Sequence, residues 1–208
     1  MILESPPHEA AAARRVTFGD WLGLPEDEPG ELIDGKLMEE EVPDAVHEVI
    51  VAWLIGVLRA WLIAEGGLVM GSEAKFAVSP RRGRKPDASA YLPASRKPPR
   101  RGLITSPPDV MIEVLSPTPC DIRRDRIDKL EEYAAFGVRW YVIIDPEARL
   151  VELLELGADG RYAHARSGCE GMMTELPGLP GLSLDLAALW CEVDHLEPDA
   201  ESEPPSPR

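Results

Sequence analysis

The longest regular pattern in the chain lies between Ala45 and Glu65. There Val46, Val49, Ile50, Trp53, Leu54, Val57, Leu58, Trp61 and Leu62 recur at helical spacing. Asp44 stands where a cap belongs and Gly66-Gly67 where a helix stops, so this stretch predicts the main core helix. Arg59 and the limited apolar run argue against a membrane span, which needs about 20 apolar residues. A shorter helix is predicted over Thr17 to Leu22, capped by Thr17 and burying Phe18, Trp21 and Leu22.

The remaining pattern is that of strands. Glu31 to Met38 predicts a hairpin, with Asp34-Gly35 suited to a type I′ turn. Pro86 to Leu92 alternates, with its proline at the one strand position that tolerates it. Asp109 to Leu115 is apolar apart from its acids and stopped by Ser116-Pro117, as expected of a central strand covered on both faces. Leu68 to Met70 and Ala74 to Val78 are expected to complete one antiparallel-to-mixed sheet with the strands ending in Asp87 and Glu113. A helix through Tyr133 then crosses to the apolar strand Arg139 to Ile144, closed by Asp145-Pro146. Leu150 to Leu156 pairs with it, Arg161 to Ala165 follows, and Leu182 to Trp190 reads as a strand or short helix.

These elements predict one α/β domain over residues 16–192, a mixed central β-sheet flanked by two main helices, with a site at one edge of the sheet. Residues 1–15 and 193–208 read as a disordered leader and a disordered acidic tail. The leader lacks a signal peptide's apolar segment, and the scattered Cys120, Cys169 and Cys191 form no ligand pattern, so a reducing cytoplasmic setting without zinc is expected.

Charge complicates any role with a polyanion. The net charge is -15, yet Arg81, Arg82, Arg84, Lys85, Arg96, Lys97, Arg100 and Arg101 face only Asp87 among nearby acids. Such a run is expected to form a positive rim around Asp87 that steers a phosphodiester weakly and in a salt-sensitive way. The alternative is a solvated arginine-rich loop, since no aromatic residues interleave it.

Two carboxylates carry the candidate chemistry. Asp87 lies at the mouth of its strand, and Glu113 sits inside an apolar one, where an unpaired carboxylate is costly and calls for a cation. Converging from adjacent strands, they offer hard oxygen ligands for Mg2+ or Mn2+. The alternative makes Asp87 a turn residue and pairs Glu113 with a neighbouring arginine.

Pro86-Asp87, Ile112-Glu113-Val114-Leu115-Ser116-Pro117, Asp125, Lys129, Tyr133, Gly137-Val138 and Trp140 to Pro146 together resemble the Uma family within the PD-(D/E)xK nuclease superfamily. Glu31-Leu32-Ile33-Asp34-Gly35, His47 and Leu179-Pro180-Gly181-Leu182 match as well, so the resemblance spans about Phe18 to Trp190. It implies a restriction-endonuclease-like fold and Mg2+- or Mn2+-dependent cleavage of DNA. Asp87, Glu113 and the Val114 carbonyl are then expected to hold the ion, with Glu31 as a direct or outer ligand and His47 orienting Glu31 or a phosphate. By residue type alone, Glu31 reads as a strand-edge acid and His47 as a satisfied structural histidine.

The superfamily's usual lysine would stand two residues beyond the glutamate, where this chain has Leu115. The resemblance implies that the lysine has moved to the next helix, as Lys129, to position water or stabilise charge on the phosphate. There Arg126, Lys129 and Tyr133 are expected on one side, beside an apolar stripe of Ile127, Leu130 and Ala134, with Tyr133 only packing. The alternative is a solvated Lys129 paired with Asp125. Two rival functions remain: an inert binding scaffold, supported by Leu115 and the acidic charge, and a self-associating homodimer, supported by the apolar strands from Trp140 to Leu156.

Overall fold

The structure is a computed structural model and describes residues 15–24, 30–38, 42–116, 118 and 122–197. Cys120, the acids Glu26-Asp27-Glu28 and Glu39-Glu40-Glu41, the leader up to Arg14 and the tail from Pro198 lie outside the described residues.

Helix α1 (Phe18–Leu22) opens on a reciprocal cap: the Thr17 hydroxyl accepts from the Asp20 N–H while the Asp20 carboxylate accepts from the Thr17 N–H. The hairpin β1 (Glu31–Ile33) and β2 (Lys36–Met38) turns through Asp34 and Gly35, whose φ angles of 52° and 86° are those a type I′ turn requires. Helix α2 (Ala45–Leu62) is capped by Asp44, which accepts from the His47 N–H at 2.8 Å. A 3-10 turn (Ile63–Glu65) extends it to Gly66, whose φ of 80° ends it. By length and composition Ala45–Glu65 would suffice to cross a bilayer. Its inner row, Ile50, Leu54, Leu58 and Leu62, instead packs into the main core with Ala88, Ala90, Val110 and Ile112.

Six strands form the main sheet in the order β10-β9-β8-β7-β6-β3: β3 (Leu68–Gly71), β6 (Ala88–Tyr91), β7 (Val110–Val114), β8 (Trp140–Asp145), β9 (Leu150–Leu156) and β10 (Tyr162–Gly168). Only β7 and β8 run parallel; the other neighbours are antiparallel. Every residue of β7 is buried, which explains why its sequence is apolar at every position but Glu113. Its even-numbered residues face the α2 core, while Met111 and Leu115 face a second core under α3 (Lys129–Phe136). Glu113 shares that second face. The short strands β11 (Met172–Met173) and β12 (Leu184–Asp185) pair, and α4 (Leu186–Val193) packs Leu186 and Leu189 into the first core.

Three expectations need correction. β4 (Phe76–Ser79) does not join the main sheet; with β5 (Arg82–Arg84) it forms a hairpin in a separate four-stranded sheet, β2-β1-β5-β4. Two of the eight cations of the expected basic loop, Arg82 and Arg84, therefore stand on a strand, where they bind Glu31 on β1, Asp34 in the following turn and Glu132 on α3. The site lies at the strand ends between the two sheets, not at a lateral edge of one.

Gly83 shows how tightly the second sheet is tied down. Trp21 is fully buried, donates from Nε1 to the Gly30 carbonyl at 2.9 Å, and lies where a Cβ on Gly83 would come within 2.3 Å of its ring. Gly83→Ala is expected to cost about 1–3 kcal/mol, the usual effect of overpacking a filled core, as read from urea unfolding.

Candidate active site

The register of β6 against β7 pairs Ala88 with Ile112, so Asp87 and Glu113 follow side by side on neighbouring strands at the same end of the sheet. Asp87 is fixed from two sides. Its Oδ2 accepts the Val114 N–H at 2.7 Å, and its Oδ1 lies 3.2 Å from His47 Nε2 in the first turn of α2. Burial works to lower the His47 pKa, but the Asp87 bond and the charges of Asp87, Glu48 and Asp44 together carry it above 6.5. His47 thus orients Asp87; it does not meet Glu31.

Glu113 is 2% exposed and held by two donors from α3. Lys129 Nζ donates to Oε2 at 2.8 Å, and the Tyr133 hydroxyl to Oε1 at 2.5 Å. Lys129 also stands 2.9 Å from Asp125 Oδ1 and 3.9 Å from Glu31 Oε1. Burial opposes its charge, yet Glu113, Glu31 and Asp125 outweigh that and hold the ammonium well above its ordinary range. Burial drives Glu113 the other way, well above 4.5; Lys129 opposes this, while Asp87, Asp125 and Glu31 add to it. One ammonium cannot satisfy so many carboxylates.

The helix that delivers these groups is not regular. Arg124–Asp128 form a π turn in which the Lys129 N–H donates to the Arg124 carbonyl, five residues back. The inserted residue rotates the faces of the helix. Asp125, Lys129 and Tyr133 are buried, whereas Ile127, expected in the apolar stripe, is 51% exposed. Arg126 turns away to Glu152 at 2.6 Å and Asp145 at 3.4 Å, so it does not share a side with Lys129. Tyr141 steadies the turn by donating to the Asp125 carbonyl at 2.9 Å. Tyr133 does more than pack, because its hydroxyl is a partner of Glu113.

Glu31 stands behind Lys129 and does not line the cleft. Its Oε2 accepts from Arg84 Nη1 and its Oε1 from the Lys85 N–H at 3.1 Å. Burial raises its pKa, but Lys129 and Arg84 together bring it below 4.5. Arg84 also grips Glu132 of α3 through Nε at 2.6 Å and Nη2 at 2.8 Å, and Arg82 joins Glu132 to Asp34. A chain of alternating charge therefore runs from the β1–β2 turn to Glu113. Arg84 and Glu132 are the site-building residues that the sequence reading missed. Their signal was Ser79-Pro80-Arg81, a turn between two short alternating runs.

The expected positive rim is not where it was placed. Arg82 and Arg84 are committed to acids, and of the eight cations only Lys85 lines the cleft. Arg96 and Lys97 follow the end of β6 remote from Asp87, where Lys97 Nζ donates to the Leu92 carbonyl. The cleft, about 290 Å³, is lined by Glu48, Glu73, Asp87, Glu113 and Asp125, opposed by Lys85, Arg124 and Lys129.

The profile of the family described as "Uma2: Putative restriction endonuclease" matches residues 16–187. The chain belongs to the Uma2 family. A solved structure described as "a putative nuclease belonging to DUF820", from Anabaena variabilis ATCC 29413, superposes with a TM-score of 0.66 over 86% of this chain and 99% of that one. At 18% identity that likeness is one of fold. No curated protein matches.

Nucleases of this kind call for a divalent cation, and the Uma2 site can be tested for one. Among the described residues no three His, Cys, Asp or Glu side chains form a ready-made cluster. The donor chemistry nevertheless fits. Asp87, Glu113 and Val114 line one cleft. In an extended strand the Val114 carbonyl points to the same side as its N–H, which meets Asp87. Each carboxylate oxygen accepts one protein donor and keeps a further lone pair, and the surplus of acids favours a hard cation.

Removing the ammonium tests this electrostatic reading. Lys129→Met is expected to cost about 3–5 kcal/mol at pH 8, the usual result of stripping one partner from a buried pair. Without Lys129 the folded-state pKa values of Glu113 and Asp125 rise further above their unfolded values of 4.5 and 3.8. The variant's native state then holds protons that the wild-type native state has released, so the deficit must grow as pH rises from the wild-type folded-state pKa values of these groups toward those of the variant, a window that for Glu113 lies well above 4.5, and level off below it. Urea unfolding at pH 5 and pH 8 measures this; an equal deficit at both would overturn the reading.

Proposed function

We propose that this chain is a Mg2+- or Mn2+-dependent endonuclease that hydrolyses phosphodiester bonds in DNA. The observation that supports it best is the fully buried Lys129 ammonium, bound to Glu113 and Asp125 on the floor of the cleft that Asp87 also lines. Asp87, Glu113 and the Val114 carbonyl are the groups that would hold the ion. When bound, it would polarise the phosphate and lower the pKa of a coordinated water.

The chain's own groups take the other roles. Lys129 is held in its charged form, so it donates hydrogen bonds and cannot abstract a proton at neutral pH. Its work is to orient the attacking water and stabilise charge that develops on the phosphate oxygens. His47 and the Val114 N–H fix the Asp87 carboxylate, and Glu31 fixes Lys129 from behind. Because acids outnumber cations in the cleft, DNA binding is expected to be weak to moderate, salt-sensitive and dependent on prior cation uptake.

A second reading, an inert scaffold that only binds, draws on the fact that each oxygen of Asp87 and Glu113 already has a protein partner. It also draws on Leu115, a 4% exposed core residue in the usual lysine position.

A metal titration separates the two. A site that binds Mn2+ only when folded must raise the melting temperature in millimolar Mn2+, and Asp87→Ala or Glu113→Ala must abolish the rise. An inert scaffold gains nothing. Lys129→Ala is expected to slow cleavage of DNA by about 100- to 10,000-fold while the Mn2+-induced rise persists. Wild-type cleavage speed in that variant would remove Lys129 from the mechanism.

A further inference from the structure

We infer that Tyr133 is a positioning residue of the site, whose hydroxyl sets the orientation in which Glu113 meets a divalent cation. This rests on the proposal that Glu113 holds the ion, and it concerns a residue that sequence pattern assigns only to packing.

The case begins with how the chain disposes of its tyrosines. There are four. Tyr91 donates to the Ser106 carbonyl at 3.1 Å, Tyr141 to the Asp125 carbonyl at 2.9 Å and Tyr162 to the Val138 carbonyl at 2.7 Å. Buried phenols here are therefore satisfied by backbone. Tyr133 alone donates its hydrogen bond to a carboxylate, and that carboxylate lines the cleft.

Geometry gives the contact its consequence. Lys129 and Tyr133 lie one turn apart on α3 and reach Glu113 from the same side, one on each oxygen. Without the phenol, both carboxylate oxygens could turn onto the Lys129 ammonium, and the group would swing out of line with Asp87. The Tyr133 ring cannot follow such a swing. It is fully buried and packs edge-on against Tyr141, with ring centroids 5.2 Å apart and planes at 89°. Tyr133 does not line the cleft, so it touches neither solvent there nor a substrate. Its influence passes through Glu113, as groups behind metal ligands commonly act.

The test is direct Mn2+ binding by electron paramagnetic resonance on the full chain, without substrate. Tyr133→Phe keeps the ring and loses only the hydroxyl; it is expected to weaken Mn2+ binding by about 10- to 100-fold. Tyr91→Phe removes the same group from a fully buried ring whose hydroxyl serves the Ser106 carbonyl, at the end of β6 remote from Asp87, and is expected to leave Mn2+ affinity within about threefold. If wild type takes up no Mn2+, the metal reading of the site falls and the Tyr133 assignment with it. If wild type binds and Tyr133→Phe binds equally well, only the Tyr133 assignment falls.

A second measurement covers the case in which the variant does not fold. In wild type labelled at tyrosine 13Cζ, with resonances identified through Phe variants of the other three tyrosines, saturating Mg2+ must shift the Tyr133 signal more than that of Tyr91 or Tyr162. A Tyr133 signal unmoved by Mg2+ that demonstrably binds would overturn the inference.

Discussion

A buried ammonium among carboxylates is the constraint on which this structure turns. Lys129 is 4% exposed, and so are Glu113, Asp125 and Glu31 at 4% or less. Taking any one of these charges out of water alone would cost several kcal/mol. They are tolerable only together, and only with Lys129 between them. The fold shows the strain of meeting that requirement. In the π turn before α3, Asp125 and Lys129 face inward together while Ile127 is left in solvent.

The second sheet exists in the service of the same centre. Arg84 on β5 binds Glu31 on β1 and Glu132 on α3, so three elements from distant parts of the sequence are locked by one guanidinium. A guanidinium suits this role because its planar fork can serve two carboxylates at once. Trp21 closes the outer side of this sheet against Gly83. The Lys129 end of α3 is thus clamped, which is what the role proposed for Lys129, stabilising charge without moving, would require.

Charge placement also changes how a nucleic acid would meet this protein. With a net charge of -15 and its inner arginines committed to acids, the molecule does not present a basic groove at the cleft. A polyanion approaching five carboxylates is repelled until a cation neutralises them. Under the proposed function, binding of ion and substrate would therefore be coupled through the same groups.

Much of this was legible in the sequence because it is local or periodic. The caps at Thr17 and Asp44, the Asp34-Gly35 turn, the helix through Leu54 and Leu58 and the central strand holding Glu113 depend on spacing and on residues that few other conformations suit. The pairing of Asp87 with Glu113 at one end of adjacent strands, and the placing of Lys129 on the next helix, also follow from order along the chain together with the family resemblance. Only the tertiary structure decided where side-chain charges go. Arg82 and Arg84 look like loop cations until Glu132, 50 and 48 residues away, turns them inward. Tyr133 looks like packing until its hydroxyl meets Glu113. The reason is physical: hydrophobic spacing records which face of an element is buried. The partner of a buried charge is instead set by distances between elements that no local pattern encodes.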